Sequence, residues 1–322
     1  MPIYIWYFDE DEAGGDRTME YSVVIVSYNQ CSLLYCCLQS VKSEIKRSGR
    51  GGETIVVDNN SSDASVEVAR QLGARVYCSD TNLGFAAANN IGLSLSRGRF
   101  ILLLNSDAAL FSGSLAALTK TLDGDPGMGA VGGLEVRPNG LIARTWWPYP
   151  NLWRDILALL GPSFSGNVLL KPQKTELFPA TIVTSILPGY CIMIKREVLD
   201  RVGGLDSSLF FYGEDVEWSW RIGKAGWRMA VVRDAPVLHI GGASSAGINS
   251  ARRHYLLAKG RLNLYRKHRS ERHAWIYFYI LVLSVFLQSL LPLLLYLYPP
   301  ARRFSARKRT LLRMLLSIEG SS

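Results

Sequence analysis

Residues 99–107 read RFILLLNSD. An unbroken apolar run from Phe100 to Leu104 stops abruptly at Asn105, Ser106 and Asp107. A run that is apolar at every position, rather than at every second one, belongs to a strand covered on both faces. Sheets built from such strands hold their ligands beyond the carboxyl ends of the strands. Asp107 stands at such an end.

The same grammar extends in both directions. "YSVVIVSYN" (21–29) predicts a buried strand, and 31–46 a helix. "ETIVVDNNSSD" (53–63) predicts a second strand ending in a polar turn, with Ser62 or Asp63 able to cap the next helix. "ARVYCSD" (74–80) is a short third strand, 85–96 a helix, 112–122 another, and "MGAVGGLEV" (128–136) a further strand. Strands alternating with helices predict an α/β fold with a mostly parallel sheet flanked by helices. Beyond it, "RPNGLIART" (137–145) reads as a hairpin, and "WWPYPNLW" (146–153) as an aromatic, turn-rich surface suited to an acceptor. "PGYCIMIKREVLDRVGG" (188–204) gives a strand and a short helix, and "YGEDVEWSWRIGKAGW" (212–227) a helix ending near Gly226.

The chain has 322 residues and a formal charge of +9, which favours an anionic partner such as nucleotide phosphate or acidic lipid. The charge is uneven: the first 20 residues are acidic, and much of the basic excess lies beyond Ala251. The 5 cysteines are odd in number and form no CxxC pair of the metal-binding kind, which argues against a disulfide framework or structural zinc site and fits a reducing compartment. Residues 274–298, "AWIYFYILVLSVFLQSLLPLLLYLY", exceed the roughly 20 apolar residues that cross a bilayer. Basic residues flank both ends, so charge gives no orientation, and a re-entrant segment broken near Pro292 is an alternative to a span. A buried core helix is the third reading. "ARKRTLLRMLLSI" (306–318) reads as a basic amphipathic helix on anionic lipid. The organisation expected is a flexible extension over 1–20, an α/β catalytic domain over 21–250, and a membrane-associated helical segment over 251–322. Basic residues beside an apolar run, rather than along a polar groove, argue against nucleic acid.

Five places carry possible chemistry. Asp58, just past a strand, can accept hydrogen bonds from a base or ribose, or be an ordinary loop carboxylate. "NLGFAAANNIG" (82–92) opens a helix with small residues, where a diphosphate could approach closely or where a helix merely packs. At Asp107, one carboxylate suffices for a magnesium or manganese ion that keeps waters and substrate phosphates in its shell. Such an ion makes a nucleotide diphosphate a good leaving group. Asn105 can help the ion or touch a sugar, and a plain polar turn is the alternative for the whole stretch. Glu214, Asp215 and Glu217 crowd three acids into four positions, where mutual repulsion raises pKa values and suits a general base. The plainer reading is a capped helix start with acids at the positive end of the dipole. His239, at a strand end before glycines, is either structural or a metal ligand.

The order of these pieces resembles family 2 glycosyltransferases of the GT-A fold, particularly the rhamnosyltransferase-like branch. The segments "SVVIVSYN", "VVDNNSSD", "NLGFAAANNIG", "LLLNSDA", "PGYCIMIKRE", "FFYGEDVEWSWRIGKAGW" and "HIGG" carry the resemblance, spanning about two-thirds of the chain. It implies that Val26, Ser27, Tyr28, Asn29 and Asp58 hold the nucleotide of a nucleotide-sugar donor. Asn82, Gly84, Phe85, Asn89, Asn105, Ser106 and Asp107 would complete the donor site. Asp107 stands for the last residue of the family's DxD motif, and Asn105 departs from its first. Asp107 and His239 would hold a divalent cation, Mg2+ or Mn2+. Asp215 would be the catalytic base with Glu214 beside it, and Gly189, Tyr190, Trp218 and Arg221 would line the acceptor side.

The implied reaction is an inverting transfer of a single sugar, rhamnose among the candidates. "WSWRIGKAGW" lacks the Q-x-x-R-W motif of processive members. The acceptor would be a lipid-linked or cell-envelope saccharide at the cytoplasmic face of a membrane, bacterial inner membrane by the resemblance. A dinucleotide-dependent oxidoreductase needs G-x-G-x-x-G after the first strand, and "SYNQCS" has no glycine. A sugar nucleotidyltransferase fails for the same reason. A non-catalytic, nucleotide-binding membrane scaffold of the same fold is the remaining alternative, and the acids at 214–217 argue against it.

Overall fold

The computed structural model describes residues 19–143, 145–160, 169–170, 179–209, 212–241, 250–294 and 310–316. Of the N-terminal extension, therefore, only Met19 and Glu20 are described. The first half runs β1 (Tyr21–Ser27), α1 (Cys31–Ser48), β2 (Gly52–Asp58), α2 (Ser65–Gln71), β3 (Arg75–Cys78), α3 (Phe85–Leu95), β4 (Phe100–Leu104), β5 (Ala108–Leu110), α4 (Ser114–Asp123) and β6 (Met128–Val136). The second half runs β7 (Ile142–Ala143), α5 (Leu152–Leu160), β8 (Leu169–Leu170), β9 (Thr181–Thr184), β10 (Cys191–Lys195), α6 (Arg196–Val202), α7 (Glu214–Lys224), β11 (Arg228–His239), α8 (Ser250–His268) and α9 (Glu271–Leu294).

The strands form one sheet whose main path is β3-β2-β1-β4-β10-β6-β11-β5. β1 pairs in parallel with both β2 and β4, so the chain leaves β1 on one side and returns on the other. That places a topological switch point, and hence a crevice, beyond Ser27 and Leu104. The sheet is mixed rather than mostly parallel. β10 runs antiparallel to both β4 and β6, and β5 runs antiparallel to β11. The apolar code cannot report this: β4 and β10 are both buried at every residue, whichever way they run.

Two apolar layers cover the sheet. One packs α1 and α4 against one face, through Leu34, Leu38, Leu115 and Leu118. The other packs α3, α6 and α7 on the opposite face, through Ala86, Val198, Trp218 and Ile222. Burying a side chain of this size contributes about 1.5–3 kcal/mol. Local chemistry fixes the helix starts. Asp63 accepts the N–H of Cys31 at 2.9 Å, at the opening of α1, and that of Ser65 at 3.1 Å, at the opening of α2. Glu44, buried on α1, accepts the N–H groups of Gly113 and Leu115 at 3.0 and 3.1 Å where α4 begins.

The C-terminal helices have a core of their own. Ala258, Leu262 and Tyr265 of α8 meet Ala274, Phe278 and Leu281 of α9, with Leu311 and Leu315 from the last described segment and Leu152 from α5 packed alongside. In the described part of the 306–318 tail Leu311 and Leu315 pack on protein, while Leu316 stays exposed. Among the described residues no helix is long and apolar enough to cross a membrane. The apolar run read over 274–298 is helical to Leu294, and 295–298 lie outside the described residues. One face of α9 packs inward; Trp275, Ile276, Tyr279, Leu283, Phe286 and Leu287 stay exposed on the other.

Candidate active site

The crevice beyond β1 and β2 is built from paired ends. Ser27 and Asp58 are register partners, and the N–H of Asn59 donates to the carbonyl of Ser27 at 2.8 Å. Asp58 accepts the N–H of Ser61 on Oδ2 at 2.9 Å. Its Oδ1 and the hydroxyl of Ser27 are buried and have no hydrogen-bond partner among the described residues. A buried polar atom left so costs about 1–3 kcal/mol, which a ligand hydroxyl or ring N–H would recover. Asn29 stands in left-handed backbone (φ 52°), and its Oδ1 accepts the N–H of Ser62 at 2.7 Å, tying the β1 and β2 loops together. Tyr28 is exposed beside it and Val26 half-buried below.

Asn82 ties its own loop to the one after β2. Its Oδ1 accepts from Asn59 Nδ2 at 2.9 Å and from the N–H of Gly84 at 3.0 Å. Gly84, at φ 82°, needs to be glycine to enter α3 at that angle. Asn89 is buried and donates back to the carbonyl of Phe85 at 2.9 Å, so it serves the helix rather than the crevice.

At the end of β4, Ser106 donates to Gln30 at 2.9 Å, and Asn105 is half-buried, its N–H on the carbonyl of Tyr190 at 3.0 Å. Asp107 is buried. Pairing of Ala108 with His239 across β5 and β11 brings the imidazole to it, with Nε2 at 3.4 Å from Oδ1. The other ring nitrogen, Nδ1, lies 2.9 Å from Glu135, which Arg137 also holds at 3.0 Å. Burial opposes charge on His239, but the hydrogen bonds and fields of Asp107 and Glu135 prevail and raise its pKa to about 9.

Glu135 fixes the ring in the manner of an outer-shell carboxylate and leaves Nε2 facing Asp107. A cation suits the space between a carboxylate oxygen and an imidazole nitrogen, and a proton fills the same role. Among the described residues no group of three or more such ligands gathers around one point. Asp107 and His239 therefore fit an ion that takes its remaining ligands from diphosphate and water.

Across the crevice, α7 begins with Glu214 and Asp215 behind Gly213, whose φ of 103° only glycine tolerates. Asp215 accepts the N–H of Gly189 on Oδ2 at 3.0 Å and that of Val216 on Oδ1 at 2.8 Å. Burial raises its pKa; those N–H groups and the charge of Arg261 pull it back. Glu214 differs. It is buried, its Oε2 has no hydrogen-bond partner among the described residues, and burial together with Asp215 pushes it up to about 8. The two acids divide accordingly: Asp215 suits a base, and Glu214 keeps its proton.

The Gly189–Tyr190 segment joins the two halves. Gly189 holds Asp215, while the ring of Tyr190 stacks on His239 with centroids 4.7 Å apart. Tyr190 is buried and donates its hydroxyl to Gly133, so it supports His239 instead of lining an acceptor surface. Trp218 is also not on that surface: it is fully buried and donates Nε1–H to Gly203 at 2.8 Å. Arg221 chelates Glu217 and donates to the carbonyls of Val202 and Gly204, which ties α7 to the loop after α6. Both indole and guanidinium are used up by the fold. The sequence pattern missed Gln30, Asn59 and Glu135. Glu135 left a signal, being a lone acid in an otherwise apolar strand.

The chain matches the family described as Glycosyl transferase family 2 over residues 22–203. It is 30% identical over 232 residues to the N-acetylglucosaminyl-diphospho-decaprenol L-rhamnosyltransferase of Mycobacterium tuberculosis (strain ATCC 25618 / H37Rv), covering 67% of this chain and 75% of the relative. Glycosyltransferase AglE of Haloferax volcanii is 27% identical over 223 residues, 68% of this chain and 66% of that one. In fold it is similar to the mannosyltransferase PcManGT from Pyrobaculum calidifontis, solved in complex with GDP-Man and Mn2+: TM-score 0.57 at 18% identity, covering 97% of this chain and 91% of the other.

Proposed function

This chain belongs to glycosyl transferase family 2, and from that premise we propose that it moves one sugar, with inversion, from a nucleotide-sugar donor to a hydroxyl of a lipid-linked saccharide. The observation that carries the proposal is the Gly189–Tyr190 bridge. Through Gly189 it binds the carboxylate of Asp215, read here as the base, and through Tyr190 it stacks on His239, the partner of Asp107.

In this reading Asp58 and the Ser27 hydroxyl take the nucleoside, and the start of α3 at Gly84 and Phe85 admits the diphosphate. Asp215 removes the proton of the acceptor hydroxyl, whose oxygen attacks the anomeric carbon from the face opposite the nucleotide. Its backbone N–H partners hold the carboxylate in one orientation, so proton transfer starts from a fixed geometry. Glu214, protonated and buried, keeps a second negative charge away from the base. A divalent cation held by Asp107 and His239 would neutralise charge building on the departing diphosphate. Mn2+ in the complex of the archaeal mannosyltransferase supports that assignment. The diphospho-decaprenol acceptor in the mycobacterial relative's name supports a lipid-diphosphate acceptor, and its rhamnose supports that donor sugar. The division at about residue 250 is part of the proposal: a GT-A unit followed by a helical segment that reaches a membrane surface. The exposed apolar face of α9 supports peripheral attachment at the cytoplasmic leaflet.

The test is binding and hydrolysis of dTDP-, UDP- and GDP-sugars, with and without Mn2+, on wild type and Asp107→Ala. Metal-dependent binding of one donor, lost in the variant, is expected. Binding indifferent to both would overturn the donor site.

A further inference from the structure

We propose that α8 carries an anion subsite, centred on Arg261 and extended by Arg253, for the diphosphate of a lipid-diphosphate-linked acceptor. The inference rests on the acceptor class proposed above and assigns residues to it that no motif singled out.

α8 lies against the loop that presents the base. A Cβ on Gly213 would lie 3.3 Å from Cα of Gly260, and one on Gly260 would run into the carbonyl of Tyr212. The helix therefore touches the two residues that immediately precede Glu214 and Asp215. Arg261 is the next residue along α8. Its side chain is 32% exposed, and Nε meets Oδ2 of Asp155 at 3.3 Å. Among the described residues that carboxylate is its single ion-pair partner, and Asp155 also takes the hydroxyl of Tyr265 at 2.7 Å. The terminal guanidinium N–H groups thus remain for an anion, in the fork geometry that matches phosphate. The charge of Arg261 is felt at Asp215.

Arg253 lies seven residues before Gly260 and so on the same face of the helix. Its guanidinium sits 5.7 Å from the ring centroid of Tyr212, and its side chain is exposed. The rise of the helix separates Arg253 from Arg261 by roughly 12 Å. The two arginines therefore stand at successive distances along α8 from its contact with the Tyr212–Gly213 loop.

Charge explains why such cations are needed. The start of α7 presents the carboxylate of Asp215, whose negative charge repels a diphosphate brought beside it. A lipid-diphosphate acceptor must bring its anion to within one sugar ring of that base. Residues 251–322 hold 14 Lys and Arg against 2 Asp and Glu, and α8 is the part of that segment placed at the base loop. Arg253 and Arg261 are the cations positioned to offset the repulsion.

The probes are farnesyl diphosphate, farnesol and inorganic pyrophosphate, titrated calorimetrically into the full chain. EDTA is present so that no metal-bridged diphosphate forms at Asp107 and His239. Farnesyl diphosphate should bind at least tenfold tighter than either other probe. Arg261→Gln should weaken it tenfold or more, Arg261→Lys less, and Arg253→Gln by a smaller factor. Asp155→Asn is the decisive control. It breaks the same ion pair but leaves the arginine, so binding should be kept or strengthened. Equal weakening in Asp155→Asn and Arg261→Gln would reduce Arg261 to a structural tie and overturn the subsite. So would equal binding of farnesol. Pyrophosphate binding as tightly as the lipid would overturn the lipid-linked assignment. If the binding pattern holds while no lipid-linked saccharide accepts a sugar, the proposed reaction fails and the subsite stands.

Discussion

Oδ2 of Asp215 accepts the backbone N–H of Gly189 at 3.0 Å, so this carboxylate, the proposed base, is oriented by the peptide that also carries Tyr190 to His239. Replacing Asp215 by Asn keeps the shape and removes the basicity. Turnover should fall by roughly 10²–10⁴, with donor affinity within about twofold, as measured by single-turnover transfer and donor titration. A variant that still turns over at a tenth of the wild-type rate would dismiss Asp215 as the base.

Glu214 predicts a pH signature. It gains its proton near pH 8 in the folded chain against 4.5 when free, because of burial first and Asp215 second. Between those values the folded state binds more protons than the unfolded one, so this group's contribution to stability falls as pH rises. Melting curves of Glu214→Gln should gain on wild type from pH 5 to pH 8 and run parallel below. Turnover should stay within a few-fold, since a neutral amide replaces a neutral acid. Parallel curves across the whole range would show that Glu214 ionises normally.

His239 must lose a proton to take a metal. With its pKa at about 9, Mn2+ affinity should rise with pH up to about that value, by up to tenfold per unit. Calorimetry in two buffers of different ionisation enthalpy should count close to one proton released at pH 7. His239→Gln should abolish both the release and the slope. A pH-independent affinity in wild type would remove His239 from the ligand set.

Arg221 and Glu217 form a pair that serves the fold. Removing the guanidinium in Arg221→Ala leaves Glu217, 5% exposed, with His268 as its remaining ion-pair partner among the described residues, at 3.1 Å. A loss of about 3 kcal/mol in denaturant unfolding is expected, with acceptor and donor KM unchanged. A raised acceptor KM at wild-type stability would return Arg221 to the acceptor surface.

Gly260→Ala tests the seat of the base loop. The added methyl meets the Tyr212 carbonyl, and overpacking of this kind costs about 1–3 kcal/mol. Transfer should drop more than donor binding, because the displaced segment leads straight into Glu214 and Asp215. Unchanged transfer would show that α8 does not hold the loop.

The sequence by itself determined most of the frame. Apolar runs within Tyr21–Ser27, Gly52–Asp58 and Phe100–Leu104 marked buried strands, and the polar residues ending them marked the edge at which the candidate site lies. Those are local facts: hydrophobic period and turn residues act over a few positions. The tertiary structure decided what depends on distant chain meeting. Only pairing of β5 with β11 sets His239 against Asp107, and only β6 alongside β11 adds Glu135. The direction of β10 was also invisible, because a strand buried on both faces has the same apolar pattern either way. Trp218 and Arg221 read as acceptor groups, yet packing turned them inward to Gly203, Val202 and Glu217. Arg261 left no mark in the sequence, since a lone arginine on a basic helix becomes specific only when Gly260 brings that helix to the base. A residue's neighbours in sequence fix its backbone; its neighbours in space, some a hundred residues away, fix its charge, its burial and its use.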